Sequence, residues 1–295
     1  MARLSTFNIW VLAARPKTLW AAMAPVMVGT AMAFETGKGA WLPALAALFG
    51  AVMIQIGTNF ANDYFDYQKG TDTEHRLGPL RVTQAGLVQP ETMKWAIALA
   101  FCMAGTAGIY LVWQGGWPIF IIGCLSILSG IFYTAGPYPL GYTGLADLFV
   151  LIFFGPVAVG GTYYVQTLEM HHSVLWSGLA PGLFSVAILT VNNLRDIEED
   201  KRAGKKTLAV RFGRSFAQGQ YLLCLVSASA IPAILYILEG NHPLATVTIL
   251  LPLAALSSIR LVFTTRDGPT LNGVLAFTGK LLLLYSVVFS VGWLL

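Results

Sequence analysis

A series of long apolar segments, each roughly 18–22 residues and almost free of charged side chains, limits what this chain can fold into. As an α-helix, each segment is long enough to cross the hydrocarbon core of a bilayer, which is about 30 Å thick. Only 11% of the 295 residues are charged and 56% are hydrophobic, whereas an ordinary soluble domain has about 25% charged residues. The sequence therefore predicts an all-α, polytopic membrane protein and excludes a soluble enzyme.

Hydropathy predicts nine transmembrane helices in a single domain that covers residues 1–295. The N-terminal segment has no short apolar core with a cleavage site, and it does not resemble a transit peptide. We therefore expect a multi-pass protein of the cell inner membrane rather than of the thylakoid. The predicted spans are roughly 18–34, 41–61, 93–113, 117–134, 146–166, 175–194, 218–237, 244–260 and 272–294.

The distribution of basic residues predicts the orientation of the chain. When the loops are counted alternately, one side of the membrane receives every Lys and Arg except Lys38 and Lys280. The positive-inside rule then places the N-terminus and the loops after spans 2, 4, 6 and 8 in the cytoplasm. All acids except Glu35, Glu169 and Glu239 share this side, although the rule does not concern carboxylates. A second constraint therefore concentrates carboxylates on the cytoplasmic face.

Two clusters of Asn and Asp come at the cytoplasmic ends of spans 2 and 6. A continuing helix would place Asn59, Asp63 and Asp66 on one face, because they are four and three positions apart. In the second cluster Asn192, Asp196 and Asp200 repeat every four positions and would share a face in the same way. The clusters are Asn59, Asn62, Asp63 and Asp66 after span 2, and Asn192, Asn193, Asp196 and Asp200 after span 6.

Two such helix faces opposite each other would suit Mg²⁺, which takes oxygen ligands from carboxylates, water and substrate phosphate. Basic residues follow both clusters and would neutralise the remaining charge of a diphosphate. The alternative is that the acids and bases form solvated surface ion pairs. Two similar clusters favour a functional site, because charged groups at membrane depth are costly. The basic residues are Lys69, Arg76 and Arg81 after the first cluster, and Lys201, Lys205, Lys206 and Arg211 after the second.

Further motifs surround the two clusters. One of them is Tyr-Thr-Ala-Gly-Pro-Tyr-Pro-Leu-Gly-Tyr at residues 133–142, and the others lie at 15–19, 62–72, 78–81, 191–200 and 205–208. Together they resemble the motifs of the UbiA superfamily of intramembrane prenyltransferases, and within it those of the 1,4-dihydroxy-2-naphthoate polyprenyltransferases. The resemblance extends over nearly the whole chain, and residues 133–142 are its most specific part.

The resemblance implies nine helices around a central cavity that opens sideways to lipid, with the Asp motifs under cytoplasmic cap loops. It implies transfer of a polyprenyl group from a polyprenyl diphosphate to 1,4-dihydroxy-2-naphthoate, with loss of diphosphate and CO₂. Mg²⁺, as two ions that bridge the diphosphate, would be the cofactor. The product would be a demethylmenaquinol of menaquinone biosynthesis, or its phytyl equivalent.

Carried onto this chain, the resemblance implies roles for individual residues. The catalytic metal ligands would be Asp63, Asp66, Asp196 and Asp200, with Asn62 and Asn193 beside them and Asn59 and Asn192 as further substrate contacts. The diphosphate contacts would be Lys69, Arg81 and Lys205, followed by Arg15 and Lys17. Asp72 is a weaker metal candidate. Tyr133 and Tyr138 would line the substrate site or belong to an interfacial belt of tyrosines.

The sequence leaves two possible roles open for each of two further charged residues, Asp147 and Lys280. Asp147 opens span 5, either as a helix N-terminal acid or as a group that orients a cap residue or helps to deprotonate the acceptor. Lys280 lies within span 9. It either faces the cavity, where it would meet the acceptor carboxylate, or extends towards the membrane surface.

A membrane transporter is the alternative from another class, since transporters also contain intramembrane acids; those acids lie near the midplane rather than at one face. Within the superfamily, 4-hydroxybenzoate and homogentisate are the alternative acceptors. The predicted partners are therefore a polyprenyl diphosphate, dihydroxynaphthoate and the lipid bilayer. The sequence predicts no nucleic-acid partner and no protein partner.

Overall fold

A computed structural model describes residues 5–70 and 77–295, and these residues form a bundle of helices. A short helix, α1 (Thr6–Ala14), precedes the membrane helices. The first four of these are α2 (Pro16–Glu35), α3 (Trp41–Gln68), α4 (Pro90–Gly115) and α5 (Trp117–Phe132).

The second half of the bundle is less regular. After the short α6 (Leu140–Thr143), the fifth crossing consists of α7 (Ala146–Ile152), a π-helical turn (Phe153–Val157) and α8 (Ala158–Thr167). Next come α9 (His172–Arg195), the short α10 (Ile197–Arg202) and α11 (Leu208–Glu239). The eighth crossing consists of a 3₁₀ helix (Pro243–Leu250), α12 (Leu251–Ala254) and α13 (Leu256–Thr264), and the ninth is α14 (Gly268–Leu294).

Within residues 5–70 and 77–295, eight crossings are long and apolar enough to span a bilayer. The remaining one, α5, is apolar but has only 16 residues, or about 24 Å of helix. It is therefore shorter than a hydrocarbon core of about 30 Å. The predicted all-α, multi-pass fold is confirmed, and the nine predicted spans correspond to the eight long crossings and α5.

Two helices extend further than hydropathy predicts. The predicted second span ends at residue 61, but α3 continues to Gln68 and carries the whole first cluster in helical conformation. Likewise, α11 begins at Leu208 instead of residue 218, with a kink at Gly213. Gly213 has φ 83°, a left-handed conformation that glycine adopts without strain. Both extensions build the end of the bundle that carries the two Asp clusters, here called the motif end.

Close backbone contacts hold α9 against the fifth crossing. A β-carbon on Gly178 would lie 2.8 Å from Cα of Pro156, and one on Gly182 would lie 2.5 Å from the Leu151 carbonyl oxygen. Any side chain at either glycine would therefore clash. Pro156 lies in the π-helical turn and cannot donate a backbone hydrogen bond, which explains the local break.

The core lies around α9, the most deeply buried of the membrane helices. It packs against α2, α11 and α14, and the ring of Phe184 lies 5.2 Å from that of Tyr285 on α14. In contrast, Ile119 is the single buried residue of α5. The second cluster thus begins on the most deeply buried helix, whereas most of α5 is not buried within the bundle.

Candidate active site

The first cluster lies on the last turns of α3. Asn59 is buried, and its amide nitrogen donates to the Ala14 carbonyl (2.9 Å) and to Oγ1 of Thr18 (3.0 Å). These bonds join α3 to the start of α2. One turn further, Asn62 accepts a hydrogen bond from the hydroxyl of Thr134. The two asparagines therefore fix the neighbouring chain segments around the end of α3.

The two aspartates of this cluster have different surroundings. Asp66 is buried and forms an ion pair with Arg81, with Oδ2 2.6 Å from Nη2. Asp63 is also buried, but its two oxygens accept hydrogen bonds from the backbone amides of Val82 (3.1 Å) and Thr83 (3.0 Å). Asp63 thus holds the loop that presents Arg81 to Asp66.

An arginine organises the second cluster at the end of α9. Nε and Nη2 of Arg195 donate to the two carboxylate oxygens of Asp196, at 2.6 and 2.5 Å. The same guanidinium donates to the side-chain oxygens of Asn192 (2.8 Å) and Asn272 (2.5 Å). Asn272 in turn donates to the Leu77 carbonyl, at 2.8 Å. The bidentate pair is buried, and this network connects α9, α14 and the loop after the first cluster.

Asp200 lies in α10, beyond a break in the helix at Asp196. It is buried, and its Oδ1 lies 3.2 Å from Nζ of Lys205. Its backbone carbonyl also accepts from the Lys205 amide, at 2.8 Å. The neighbouring Glu199 accepts a hydrogen bond from the Leu77 amide at 3.2 Å. Short helix α10 therefore turns the second carboxylate of this cluster towards the first cluster.

Tyr142 connects the two clusters. Its hydroxyl donates to Oδ1 of Asp66 at 3.0 Å, and Nζ of Lys69 and Nζ of Lys205 each lie 4.9 Å from the centre of its ring. Lys69 also donates to the Thr134 carbonyl, at 2.5 Å. The pKa of Lys69 is lowered, mainly because its ammonium group is partly buried. The negative charge of Asp66 opposes this shift of the pKa, and the positive charge of Lys205 adds to it. Tyr142 lies in the most specific motif, but no role was predicted for it from the sequence.

Both clusters border one cavity of about 730 Å³. Along α3 the cavity extends from Ala47 to Asp66, which is about 28 Å of helix and nearly the thickness of a hydrocarbon core. Away from the motif end its walls are mostly apolar side chains and glycines of α2, α3, α4, α5, the fifth crossing and α9, with a few hydroxyl and amide side chains among them. The cavity therefore combines a charged end with a long apolar body.

Most of the predicted site residues line this cavity, and four do not. Those that line it are Arg15, Asn59, Asn62, Asp66, Arg81, Tyr133, Asn192, Asn193, Asp196, Asp200 and Lys205. Glu199, which the sequence analysis did not select, lines it too. Asp72 and Arg76 lie outside the described residues.

The four predicted site residues that do not line the cavity lie in other surroundings. Asp63 faces the Val82–Thr83 backbone, and Lys69 donates to carbonyls of the turn after α5. Tyr138 is 85% exposed, because the turn at Gly136 (φ 83°) directs it away from the cavity. Lys17 is exposed outside the cavity.

The two residues with open interpretations also lie outside the cavity lining. Asp147 is buried and accepts a hydrogen bond from Nε2 of Gln220 at 2.7 Å, which joins α7 to α11. Lys280 is exposed on α14. Because Lys280 does not line the cavity in this structure, it would not contact an acceptor bound there.

Residues 22–294 match the UbiA prenyltransferase family. The chain belongs to this family. The match covers every membrane helix apart from the first turns of α2, and it includes both Asp clusters. The transporter alternative is therefore not retained.

Several curated relatives have similar length. The 1,4-dihydroxy-2-naphthoate octaprenyltransferase of Haemophilus influenzae is 36% identical over 98% of this chain and 96% of the relative. The enzyme of the same name from Escherichia coli is 37% identical, again over 98% and 96%. The 2-carboxy-1,4-naphthoquinone phytyltransferase of Synechocystis is 29% identical over 90% of this chain and 86% of the relative.

Solved structures of UbiA homologues have the same fold. The apo structure of a UbiA homologue from Aeropyrum pernix matches 94% of this chain and 97% of its own with a TM-score of 0.71, at 17% identity. A UbiA homologue from Archaeoglobus fulgidus bound to GPP and Mg²⁺ matches 96% and 99% with a TM-score of 0.69, at 14% identity. These matches confirm the fold.

The donor set of this UbiA cavity fits a hard divalent cation. Carboxylates of Asp66, Asp196 and Asp200 and amides of Asn62 and Asn193 line its motif end, and oxygen donors of this kind suit Mg²⁺. Across the described part of the chain, no three acidic, His or Cys side chains already form a metal-binding group. Each of the three carboxylates is instead paired with Arg81, Arg195 or Lys205. Metal-bound diphosphate would have to compete with these basic partners.

Proposed function

We propose that this UbiA-family protein transfers a polyprenyl group from a polyprenyl diphosphate to 1,4-dihydroxy-2-naphthoate, with release of diphosphate and CO₂. The two relatives that are 36% and 37% identical over nearly their whole length carry this acceptor in their names. A phytyl donor, named for the Synechocystis relative, belongs to the same reaction with a different prenyl chain.

The observation that carries this proposal is the meeting of both Asp clusters at one end of a single apolar cavity. A polyprenyl diphosphate has the same division, with a strongly charged head and a long hydrocarbon tail. The charged end provides oxygen donors and basic groups for the head. The apolar body, close to the full thickness of a hydrocarbon core, provides space for the tail.

In the proposed reaction, the bond between the allylic carbon and the diphosphate oxygen breaks, and its electron pair leaves with the diphosphate. A ring electron pair of the naphthoate forms the new carbon–carbon bond at the carbon that bears the carboxylate. The bond to the carboxylate then breaks, CO₂ leaves, and its electron pair restores the aromatic ring. The balance needs no oxidant, and the product is a prenylated naphthoquinol of the demethylmenaquinol type.

The position of each residue indicates its proposed role in this reaction. Asp66, Asp196 and Asp200, with Asn62 and Asn193, would hold Mg²⁺, and two ions would accept the charge that develops on the leaving diphosphate. Arg81 and Lys205 lie beside these carboxylates and would contact the remaining diphosphate oxygens. The apolar walls would exclude water, which otherwise would capture the allylic cation.

The distribution of basic residues supports one orientation in the membrane. The chain is a multi-pass membrane protein, and we propose that it forms one domain in the cell inner membrane with the motif end in the cytoplasm. Accessibility of single cysteines tests this arrangement. A cysteine in place of Lys201 should react with an impermeant reagent only after the cells are opened, whereas one in place of Lys38 should react in intact cells.

Competition between acceptors tests the proposed activity. Purified protein with Mg²⁺ and geranylgeranyl diphosphate would be offered dihydroxynaphthoate, 4-hydroxybenzoate and homogentisate together. We expect a prenylated naphthoquinol as the main product. If the main product came from hydroxybenzoate or homogentisate, the proposed acceptor would be wrong, but the proposed metal-dependent prenyl transfer would stand. Absence of any product, also with octaprenyl diphosphate, would overturn the proposed function.

A further inference from the structure

An exposed lysine stands in the lipid-facing surface of the last helix. Lys280 is the thirteenth residue of α14, which begins at Gly268. Phe277 and Leu284, about one turn before and after it, are also exposed. These apolar neighbours face the acyl chains of a bilayer. A charged group among them is costly unless it reaches a polar partner at the membrane surface.

A second exposed lysine lies beside it on the neighbouring helix. A β-carbon on Gly279 would lie 3.1 Å from the carbonyl oxygen of Lys17 and 3.2 Å from Cδ1 of Trp20. Helices α2 and α14 therefore touch at this point, which places the backbone of Lys17 against Gly279, the neighbour of Lys280 in sequence. Lys17 is exposed and is absent from the lining of the central cavity.

The pair lies in the half of the membrane that is nearer the motif end. Lys17 is in the first turn of α2, which begins at Pro16, and Trp20 follows almost one turn deeper. Tryptophan is enriched at the level of lipid headgroups. Lys280 lies eight residues beyond Asn272, which contacts the second cluster; this separation is about 12 Å along α14. Both ammonium groups can therefore extend to the headgroups of the same leaflet.

Neither lysine forms an ion pair or a side-chain hydrogen bond with residues 5–70 or 77–295. Two ammonium groups on touching helices repel each other unless an anion lies between them. A phosphate group has several strong acceptor oxygens and can bind two ammonium groups together. Basic pockets between transmembrane helices on the cytoplasmic side bind anionic headgroups in this way.

We propose that Lys17 and Lys280 form a binding site for the phosphate of an anionic phospholipid at the α2–α14 contact. The acyl chains would lie along the apolar surface that includes Phe277 and Leu284, and Trp20 would lie at the level of the glycerol. This site is separate from the central cavity, and it does not depend on the proposed activity.

Native mass spectrometry of the protein in nanodiscs tests this site. Discs with equal amounts of phosphatidylcholine and phosphatidylglycerol would be disrupted in the spectrometer, and the lipids that stay bound would be counted. We expect the wild type to retain phosphatidylglycerol in preference to phosphatidylcholine. In the double variant Lys17→Gln, Lys280→Gln this preference should fall roughly 30-fold, because each basic residue near an anionic headgroup contributes about fivefold.

Two controls keep the result specific. The double Lys→Arg variant keeps both charges and should retain phosphatidylglycerol. Lys94→Gln removes an exposed lysine at the same end of the bundle, on α4, and should leave the preference unchanged. Equal retention of the two lipids by the wild type, a measurement that needs no variant, would overturn the proposal. The proposal would also be overturned if the double Gln variant retained phosphatidylglycerol as the wild type does. The same holds if that variant lost geranylgeranyl diphosphate binding and kept its lipid preference.

Discussion

The substitution Asp63→Asn separates two roles for the first aspartate of the first cluster. As a metal ligand, Asp63 would act mainly in catalysis. In the structure, however, both of its oxygens accept backbone hydrogen bonds, from Val82 at 3.1 Å and Thr83 at 3.0 Å. The amide of an asparagine has one accepting oxygen, so one of the two buried backbone amides would lose its partner. A hydrogen bond to a charged group contributes about 1.5–3 kcal/mol, and we expect destabilisation of about that size.

Thermal unfolding in detergent without divalent metal measures the structural part of this effect. The unfolding midpoint of Asp63→Asn should fall clearly below that of the wild type. Its residual activity should require no more Mg²⁺ than wild-type activity, because the loop that carries Arg81 is loosened while the cavity-lining carboxylates remain. Asp66→Asn is the matched variant: it should lose activity by orders of magnitude and require more Mg²⁺, since Asp66 lines the cavity.

The opposite pattern would refute this reasoning. If Asp63→Asn keeps the wild-type unfolding midpoint and raises the Mg²⁺ concentration needed for half-maximal activity, Asp63 is a ligand and the loop contact is secondary. The same conclusion would follow if the two variants behaved alike in both measurements.

Three further predictions concern the cavity. Tyr142→Phe removes the 3.0 Å bond to Asp66 and should lower kcat/KM for the donor about 10- to 100-fold, measured at saturating Mg²⁺; an unchanged value would exclude a role for the hydroxyl. A β-carbon on Gly108 would meet no atom within 4 Å inside the cavity. Gly108→Leu should therefore lower kcat/KM for octaprenyl diphosphate about tenfold relative to geranyl diphosphate, whereas Gly219→Leu, at an equally open position outside the cavity, should not. EDTA should abolish prenyl transfer and added Mg²⁺ should restore it; full turnover in EDTA would contradict the metal assignment.

Helical spacing explains why several residues of the first cluster lie together at the polar end of the cavity. Asn59, Asn62 and Asp66 are three to seven residues apart, and the extended α3 places all three along the cavity. Asp63 has compatible spacing but faces the Val82–Thr83 backbone. Spacing on one helix does not reveal which of two adjacent directions meets a cavity and which meets a loop. That distinction depends on where the chain returns after the first cluster.

Tertiary contacts also explain why Tyr142 contacts the first cluster, whereas Tyr138, which was the predicted site residue, is exposed. Both are tyrosines of one motif, and no local pattern ranks them. The turn at Gly136 exposes Tyr138, and the short α6 carries Tyr142 back to Asp66. The same holds for Lys17 and Lys280, whose proximity depends on the packing of α2 against α14 across more than 260 residues of sequence.

Hydropathy predicted the membrane helices but not all of their ends. It detects where the hydrocarbon core begins, whereas α3 and α11 continue beyond it because polar helical turns build the motif end. The fifth and eighth crossings were predicted as spans, but their irregular turns were not. Their π-helical and 3₁₀ turns depend on contacts with neighbouring helices, such as the glycine contacts between α9 and the fifth crossing.

The stoichiometry of the reaction tests the central proposal most directly. Purified protein would be given a polyprenyl diphosphate, Mg²⁺ and dihydroxynaphthoate labelled in its carboxylate, and labelled CO₂, diphosphate and quinol would be measured together. We predict one CO₂ and one diphosphate for each prenylated naphthoquinol. Release of diphosphate without CO₂, or a product that keeps the label, would contradict the proposed transfer to the carbon that bears the carboxylate.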